Sequence, residues 1–244
     1  MAINTTYRSQ APEIMDDFDL EGETLRDALD KIAHINKLLG GNSITLNGVR
    51  TLLKGRTESA EAIRILDVGC GNGDMLRTIA DDARKSGFRC ELIGMDANAF
   101  TVSHAQQLSS GYPEITYRCA DIFESLNGNQ PYDIILCTLT LHHFKDEDIL
   151  QLLQGFSKHS RLGFVINDLH RSALAYYLFK ALCFVFRLND MSREDGLISI
   201  LRGFKKEDLL AYSRRLEFNN DSINWKWAFR YQWIVKTYGE DKSS

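Results

Sequence analysis

The sequence predicts an α/β fold, in which a mostly parallel β-sheet is covered by helices and closed by an antiparallel hairpin. Three observations predict it. Short apolar runs alternate with helix-patterned segments from residue 63 onward, as expected for parallel strands that are buried on both faces. A glycine-rich turn follows the first of these runs. The last two runs are rich in β-branched and aromatic residues and lie close together, which is typical of a hairpin.

The composition is that of an ordinary globular protein. The chain has 244 residues, of which 44% are hydrophobic and 25% are charged, and its net charge is −4. This fits one domain, or one domain with an appendage, and does not favour nucleic acid or an anionic membrane as a partner. Five cysteines without a CxxC pair fit neither a zinc knuckle nor a disulfide framework. Reduced thiols and the missing secretory signal pattern predict a cytoplasmic protein.

The first sixty residues are predicted to be helical. Apolar residues recur there at spacings of three and four, and Gly40-Gly41 is expected to end that helix. A weaker segment, Ile44–Leu53, and a polar connector, Lys54–Glu61, follow. We therefore divide the chain into an N-terminal helical extension or lid, residues 1–60, and a main domain, residues 61–244.

Seven strands are predicted in the main domain. The five parallel strands are Ile63–Val68, Cys90–Met95, Ile115–Cys119, Tyr132–Thr138 and Leu162–Asn167. The closing antiparallel strands are Ser222–Trp227 and Tyr231–Thr237. Trp225 and Trp227 share one face of the sixth strand and are expected to belong to the core.

A helical cap is predicted after the fifth strand, at about residues 170–204. Its first helix, Ser172–Phe186, is apolar nearly all round but is too short for a bilayer, which needs ~20 residues. A polar stretch, Asn189–Gly196, and a turn at Gly203 follow. The aromatic residues expected to line an acceptor pocket are Tyr176, Tyr177, Phe179, Phe184 and Phe186. The alternative is that they pack against the N-terminal helices or a second subunit, as in a homodimer.

The turn after the first strand reads DVGCGNG and starts at Asp67. Its glycines allow the backbone to approach a ligand closely at the carboxyl ends of the strands. A dinucleotide GxGxxG turn would need a third glycine where Asp74 stands, and an acid there would repel a pyrophosphate. The sequence also contains no GxxxxGK[ST] phosphate loop. DxGxGxG suits a ligand with an ammonium and a sulfonium but no phosphate, whereas a purely structural glycine turn is the alternative.

Two further acids end neighbouring strands. Asp96 ends the second strand, where it can accept hydrogen bonds from both hydroxyls of a ribose. Asp121 follows the third strand, where it can accept a hydrogen bond from an adenine amino group. One such acid alone could be a solvated turn residue or a helix cap. Together with Asp67, they are expected to face one crevice.

These segments resemble the class I S-adenosylmethionine (SAM)-dependent methyltransferases. ILDVGCGNGD, LIGMDAN, CADIF and YDIILCTLTLHHF are similar to the first four motifs of that family, and LHHF is similar to its small-molecule branch, as in the ubiquinone/menaquinone methyltransferases. The outer segments PEIMDD, INKLLGG, NDLHRS and DGLISILRGF resemble bacterial methyltransferases of polyketide and phenolic-lipid pathways. The resemblance implies a Rossmann-like seven-stranded sheet with an antiparallel last strand. It also implies SAM as cofactor and S-adenosylhomocysteine (SAH) as product.

The resemblance further implies roles for single residues. The residues around the methionine part of SAM would be Asp67, Gly69, Gly71 and Gly73, with Cys70 contributing mainly backbone. Asp96 would bind the ribose, and Ala97 would pack near the adenine ring. The adenine edge would be held by Asp121 and Ile122. The sulfonium would lie near Cys137 and Thr138.

Methyl transfer to a hydroxyl group of high pKa needs a base. The candidates that follow strands four and five are His142, His143, Asp168 and His170. Histidine suits proton transfer near neutral pH, but one of two adjacent histidines must point away from the site. No metal is expected, because Cys137-Thr138 stands where the magnesium catechol methyltransferases carry an acid, and Leu141 stands where metal-dependent quinone-pathway relatives carry a glutamate.

The sequence therefore predicts SAM-dependent methylation of a small molecule, such as a phenol, a quinol or a polyketide-like compound. O-methylation is favoured over C-methylation because histidines near the crevice can deprotonate a hydroxyl. The [DN]PP[YF] tetrapeptide of DNA amino-methyltransferases is missing, and the scattered basic residues disfavour RNA or protein substrates. Two further functions compete with this prediction, a non-catalytic SAM-binding module and an NAD-dependent oxidoreductase. Asp74 disfavours the oxidoreductase.

Overall fold

The structure is a computed structural model that describes residues 3–54, 61–125 and 131–237. Its centre is a seven-stranded β-sheet. The strands are β1 (Ile63–Val68), β2 (Cys90–Asp96), β3 (Ile115–Cys119), β4 (Tyr132–Thr138), β5 (Ser160–Leu169), β6 (Asp221–Lys226) and β7 (Arg230–Lys236). All seven predicted strands are confirmed, with small differences at their ends.

The strand order creates a crevice at the carboxyl ends of the strands. The sheet has the order β3-β2-β1-β4-β5-β7-β6. The first five strands pair in parallel, whereas β7 is antiparallel to both β5 and β6. The chain reverses its progress across the sheet between β1 and β4, and open α/β sheets bind ligands outside the strand ends at this point. The predicted α/β, Rossmann-like class is confirmed.

Helices cover the sheet and extend beyond its carboxyl edge. They are α1 (Glu23–Leu38), α2 (Gly41–Leu53), α3 (Asp74–Ser86), α4 (Ala99–Leu108), α5 (Ile122–Ser125), α6 (Asp146–His159), α7 (Ala173–Val185), α8 (Asp190–Arg202) and α9 (Lys206–Arg215). Two short 3-10 turns, Ile14–Asp16 and Leu141–His143, lie near the crevice.

Each face of the sheet carries its own hydrophobic cluster. Along β1, Ile65 belongs to one cluster and Leu66 to the other, and both are fully buried. Side chains of a strand alternate between faces, so an unbroken apolar run fills both clusters. The cluster that contains Leu66 also holds Phe156, Phe164 and Trp233.

The second N-terminal helix, α2, packs directly on the sheet. Gly40 adopts a left-handed conformation with φ +76° and ends α1, as predicted. The segment after it is a complete helix, because α2 begins at once at Gly41. In α2, Gly48 lies so close to Val165 of β5 that a side chain there would collide. The amide of Asn167 donates a hydrogen bond to the Gly41 carbonyl (3.0 Å), which fixes α2 over the ends of the strands.

The predicted helical cap is confirmed, whereas the prediction about the two tryptophans of the hairpin is wrong. The polar stretch Asn189–Gly196 is helical, because Asn189 caps α8 by accepting a hydrogen bond from the backbone N–H of Ser192 (2.8 Å). Trp225 and Trp227, which were expected in the core, are 50% and 72% exposed. Since β6 is an edge strand, its outward side chains face solvent.

The cap does not contain a membrane-spanning segment. Its apolar helix, α7, has 13 residues, and no helix in the described ranges is long and apolar enough to cross a bilayer. The polar connector predicted at Lys54–Glu61 falls mostly on residues 55–60, which lie outside the described residues.

Candidate active site

A cavity of about 750 Å³ lies at the carboxyl ends of β1, β2, β4 and β5. The glycine turn and the strand-end acids line one part of it. The tip of the β6–β7 hairpin and α7 line another part. Residues 13–18 and α1 contribute the cover. Both regions that the sequence singled out, the turn and the strand-four loop, therefore border one continuous space.

The three glycines of the turn have different surroundings. Gly69, Gly71 and Gly73 all adopt φ between +51° and +77°, which favours glycine. A side chain at Gly71 would point into nearly open space, whereas one at Gly69 would collide with Thr140. Gly73 does not line the cavity, and a side chain there would collide with the Tyr117 hydroxyl. The prediction for Gly73 is therefore corrected, since it directs the chain into α3 instead.

Asp67 places an unpaired carboxyl group at the wall of the cavity. The residue is 2% exposed, and its Oδ1 has no hydrogen-bond partner among the described residues. Burial, and then the charge of Asp96, raises the pKa of Asp67 to about 8. A ligand cation at this point would offset the desolvation of the carboxylate. The site thus favours a positively charged group beside the glycine turn.

The next two strand-end acids hold the backbone around them. Asp96 accepts hydrogen bonds from the backbone N–H groups of Gly71 and Asn98, both at 3.1 Å. Burial raises the pKa of Asp96, although these hydrogen bonds oppose the rise. Asp121 is exposed and accepts a hydrogen bond from the backbone N–H of Phe123 (2.7 Å). The other predicted SAM contacts that line the cavity are Cys70, Ala97, Ile122 and Thr138.

Cys137 and Thr138 do not both reach the cavity, because successive residues of a strand face opposite sides of the sheet. Thr138 lines the cavity, and its hydroxyl lies 3.0 Å from that of Thr45. Cys137 is fully buried in the hydrophobic cluster of Phe164 and is not among the lining residues. Its predicted position near the sulfonium is therefore corrected.

His142 and Asp168 form a buried pair beside the cavity. They are 2% and 1% exposed, and Nδ1 of His142 lies 2.7 Å from Oδ1 of Asp168. The backbone N–H of His142 donates to the other carboxylate oxygen at 3.2 Å. Although burial alone would raise the pKa of Asp168, the imidazole of His142 holds it below its ordinary value. With its proton on Nδ1, the imidazole keeps a lone pair on Nε2, which has no hydrogen-bond partner among the described residues.

Glu13, which the sequence analysis missed, covers that free nitrogen. Its Oε1 lies 3.7 Å from Nε2 of His142 and lacks a hydrogen-bond partner among the described residues, while Oε2 accepts a hydrogen bond from the Ser199 hydroxyl (2.7 Å). Burial raises the pKa of Glu13 to about 7, against the opposing charge of His143. Glu13 belongs to the segment PEIMDD, whose resemblance to bacterial methyltransferases was the signal available in the sequence.

The second histidine of the loop has a separate partner. Nδ1 of His143 lies 2.7 Å from Oδ1 of Asp16, and Arg202 donates to Oδ2 of the same carboxylate at 2.7 Å. Arg202 also donates to the backbone carbonyls of His142 and His143. The two imidazole rings lie side by side, with centroids 4.3 Å apart, and both residues line the cavity. The prediction that one of them points away from the site is therefore wrong. The N-terminal segment and α8 hold their loop in place.

His170 lies at the hairpin side of the cavity. Its Nδ1 accepts a hydrogen bond from the indole N–H of Trp225 (3.2 Å), and its ring stacks on Phe229 with centroids 6.3 Å apart. Burial lowers the pKa of His170. His170 therefore lines the pocket as a neutral imidazole whose Nδ1 already accepts a hydrogen bond from Trp225. It is less suited than His142 to accept a proton.

The cap helix lines the cavity with fewer aromatic residues than predicted. Of the five predicted aromatic side chains, Phe179 is the one that lines the cavity among the described residues. Tyr177 and Phe184 are 51% and 86% exposed. The other lining residues of α7 are Ala175, Leu178 and Leu182. The pocket wall is therefore mainly aliphatic at this helix, because the aromatic residues lie largely on its other sides.

Residues 65–163 match a protein family described as a methyltransferase domain. This range runs from β1 into β5 and contains the glycine turn, the strand-end acids Asp96 and Asp121, and His142. The chain therefore contains a methyltransferase domain. The predictions of this family and of its cofactor are confirmed.

The methyltransferase is similar to proteins with different acceptors. It is 29% identical over 136 residues to the ubiquinone biosynthesis O-methyltransferase of Chromobacterium violaceum, and the match covers 54% of this chain and 56% of that protein. The match thus spans little more than half of the curated relative. The plantazolicin methyltransferase BpumL, in complex with a triazolic desmethylPZN analog and SAH, has a TM-score of 0.64 at 15% identity and covers 88% and 90% of the two chains. The DszA carbon methyltransferase has a TM-score of 0.60 at 17% identity and covers 82% and 54%. These structures share the fold.

Three side chains that could bind a metal ion lie close together in the methyltransferase, but other side chains already contact two of them. A carboxylate oxygen of Glu13 and ring nitrogens of His142 and His143 lie within 4.8 Å of one another. However, Nδ1 of His143 already contacts Asp16, and the guanidinium of Arg202 lies 3.4 Å from Glu13. That guanidinium would repel a second cation. Function without a metal stays a prediction.

The free energy of unfolding of the wild type is expected to fall as the pH rises, because Glu13 becomes charged, and Glu13→Gln is expected to remove this dependence. Because the folded-state pKa of about 7 exceeds the ordinary 4.5, folding favours the protonated form. Stability from this group is full below pH 4.5 and falls as the pH rises to 7. One pKa unit corresponds to about 1.4 kcal/mol, so the wild type should lose about 3 kcal/mol relative to Glu13→Gln across this window. Urea unfolding at pH 4.5 and 7.5 measures the difference. Glu21→Gln, which changes an exposed acid of the same segment, is the matched control, and parallel pH profiles for all three proteins would contradict the prediction.

Proposed function

We propose that this protein transfers the methyl group of SAM to a hydroxyl group of a small molecule, with His142 as the general base. The observation that carries the proposal is the buried pair of Asp168 and His142 beside the cavity that also contains the glycine turn, in which Nε2 of His142 has no hydrogen-bond partner among the described residues. A histidine held in position by a carboxylate is a typical arrangement for general-base catalysis.

The residues at the turn fit SAM. The unpaired Oδ1 of Asp67 is proposed to accept a hydrogen bond from the ammonium group, and Gly69 and Gly71 to contact the methionine part. Asp96 is proposed to bind the ribose hydroxyls with its remaining lone pairs. Ala97, Ile122 and Asp121 are proposed to hold the adenine, and Thr138 to lie near the sulfonium. When bound, SAM supplies an electrophilic methyl group, whose bond to sulfur breaks as a bond to the acceptor oxygen forms.

The protein's own task is to position the acceptor and remove its proton. Asp168 accepts a hydrogen bond from Nδ1–H of His142 and thereby leaves the lone pair on Nε2. The acceptor hydroxyl gives its proton to Nε2, and the imidazolium that forms is stabilised by the carboxylate of Asp168. The products are a neutral ether and SAH. The positive charge of the sulfonium is lost, and the proton taken up by His142 carries one positive charge in its place.

The N-terminal extension and the cap are proposed to form a lid. Nε2 of His142 is not exposed to solvent while Glu13 covers it. An acceptor hydroxyl therefore reaches the base only when residues 1–60 shift relative to the strand-four loop. Arg202 of the cap ties the two parts together, because it contacts both Asp16 and that loop. The division into residues 1–60 and 61–244, with a cap at about 170–204, follows from this role.

C-methylation is the second candidate. The same base would remove a proton from an acidic carbon of an enol-type acceptor, and the solved structures that share the fold include a carbon methyltransferase. O-methylation is favoured because the similar curated sequence is an O-methyltransferase and because hydroxyl protons are the ones that histidine removes most readily.

Transfer of labelled methyl from SAM to a panel of phenols, quinols and enolic diketones tests the proposal. We expect O-methylated products, identified by mass spectrometry, and no reaction without protein. Carbon-methylated products would favour the second candidate. Tight binding of SAM in calorimetry, with no transfer to any acceptor of the panel, would contradict the proposed activity and favour a non-catalytic SAM-binding module.

A further inference from the structure

Arg230, at the start of β7, is a buried charge that the proposed reaction does not use. The residue is 4% exposed and lines the cavity, and its Nε and Nη1 have no hydrogen-bond partner among the described residues. Burial lowers its pKa to about 10, so it stays protonated at neutral pH. The charge of Asp168 offsets part of the desolvation of this guanidinium, but no group of the described chain accepts a hydrogen bond from its Nε or Nη1. Buried N–H groups without an acceptor are unfavourable, so this position suits a ligand that accepts hydrogen bonds from Arg230.

The position of Arg230 separates it from the cofactor turn. It pairs with Leu169 at the end of β5, and β7 is the third strand from β1 in the order β1-β4-β5-β7. Neighbouring strands lie about 4.8 Å apart, so roughly 14 Å separate the two strands. Arg230 thus belongs to the part of the cavity that the acceptor would occupy.

The charged residues that line the cavity favour a ligand with a single negative charge at Arg230. Arg230 is the one arginine or lysine among the described lining residues. The acids that line the cavity are Glu13, Asp16, Asp17, Asp67, Asp74, Asp96, Asp121 and Asp195. A phosphate or another dianion would be repelled by these groups with a single cation to compensate. A carboxylate carries one charge and suits the planar guanidinium.

The surroundings of Arg230 favour an apolar or aromatic body on that carboxylate. The hairpin tip places Trp227 and Phe229 at the cavity, with His170 stacked on Phe229. Three residues, 227–229, connect the paired residues Lys226 and Arg230, and Ala228 and Phe229 have positive φ of 63° and 55°, which makes the turn tight. This turn sets the start of β7, and with it Arg230, against the cavity.

We propose that Arg230 binds a carboxylate of the acceptor, so that the substrate is an apolar or aromatic carboxylic acid with a separate hydroxyl group that is methylated. This inference rests on the proposed function, because it assumes that the pocket beyond the glycine turn holds an acceptor. It adds a specificity-determining contact at the end of the pocket opposite the cofactor turn.

Binding to the SAH-loaded protein tests the proposal without requiring turnover. The probes are 6-hydroxy-2-naphthoate and its methyl ester, together with the same acid and ester pairs of hydroxylated benzoates and cinnamates, measured by titration calorimetry. We expect the wild type to bind at least one acid tenfold or more tightly than its ester. Arg230→Gln is expected to bind acid and ester equally and to keep the ester affinity of the wild type.

The controls separate the roles that Arg230 could play. Lys226→Gln removes a positive charge from the same hairpin outside the cavity lining and should leave the preference for acids intact. A lower SAH affinity in Arg230→Gln would overturn the proposal and assign Arg230 to the cofactor carboxylate. Equal wild-type binding of acids and esters, or failure of every acid to bind, would also overturn it. Thermal melting of Arg230→Gln shows whether the variant is folded at the temperature of the titration. The acceptor screen measures methyl transfer and therefore tests the proposed function, whereas the calorimetry measures binding and tests the role of Arg230. A failure of one proposal can thus be told from a failure of the other.

Discussion

Replacing His142 with alanine is expected to lower kcat for a hydroxyl acceptor by about 10²–10⁴-fold, the range typical of a lost general base. SAM affinity should stay unchanged, because His142 lies beyond the glycine turn and the strand-end acids. The effect should exceed that of His170→Asn, whose Nδ1 is already bonded to Trp225. Steady-state kinetics with SAM and the best acceptor of the screen measure kcat and KM separately.

The acidity of the acceptor provides the sharper measurement. A phenol of low pKa is already largely ionised and needs little help from a base, so the loss in His142→Ala should shrink along a series of increasingly acidic phenols. A residue that merely shapes the pocket would give the same loss with every phenol. Asp168→Asn should follow the same trend with a smaller loss, because it misorients the imidazole but leaves it in place.

The outcome that would contradict the assignment is a large loss in His143→Asn or His170→Asn with near-wild-type activity in His142→Ala. Circular dichroism and SAH titration of each variant show whether the fold and the cofactor site survive. Since His142 is buried against Asp168 and Glu13, His142→Gln, which keeps polar atoms at this position, is the second variant if the alanine protein does not fold.

The sheet could be predicted from the sequence because its signal is local. The central parallel strands contain short apolar runs, and residues Ile134 to Cys137 of β4, which are fully buried, show why such a run carries no charged side chain. The helix α8 could not be predicted in the same way. Its buried residue Asp195 accepts hydrogen bonds from the backbone N–H groups of Ile14 and Met15, which are distant in sequence. Such a polar residue looks solvated until its partner segment is known.

The residues of the candidate site also differ in whether a local sequence signal locates them. The acids Asp67, Asp96 and Asp121 could be located because the ends of parallel strands meet at one edge. Period-two alternation already implied that Cys137 and Thr138 face opposite sides, and applying it would have left Thr138 alone at the cavity. Glu13 and Arg230 could not be located, because their roles depend on an N-terminal segment and a hairpin that reach the cavity only in the folded chain.

SAM is expected to bind with release of a proton from Asp67, so that affinity rises with pH up to about 8. In the free protein the pKa of Asp67 is about 8 because the carboxyl is buried. Pairing with the ligand ammonium favours the ionised form, and the proton must leave before the pair can form. At pH 7 about 0.9 proton should be released per SAM bound, and affinity should rise nearly tenfold per pH unit below that pKa.

Calorimetry in two buffers of different ionisation enthalpy measures this proton directly. SAH carries the same ammonium and should release the same proton, whereas 5′-methylthioadenosine lacks the ammonium and should release none. Asp67→Asn should abolish the release and weaken SAM by roughly 10–100-fold at pH 8, the range expected for a lost charge-assisted hydrogen bond. Asp81→Asn, which neutralises an exposed acid on α3, should behave as the wild type. If Asp67→Asn still released a full proton, Asp96 would be the titrating group, because its pKa is also raised by burial, and the ammonium would have to be placed elsewhere.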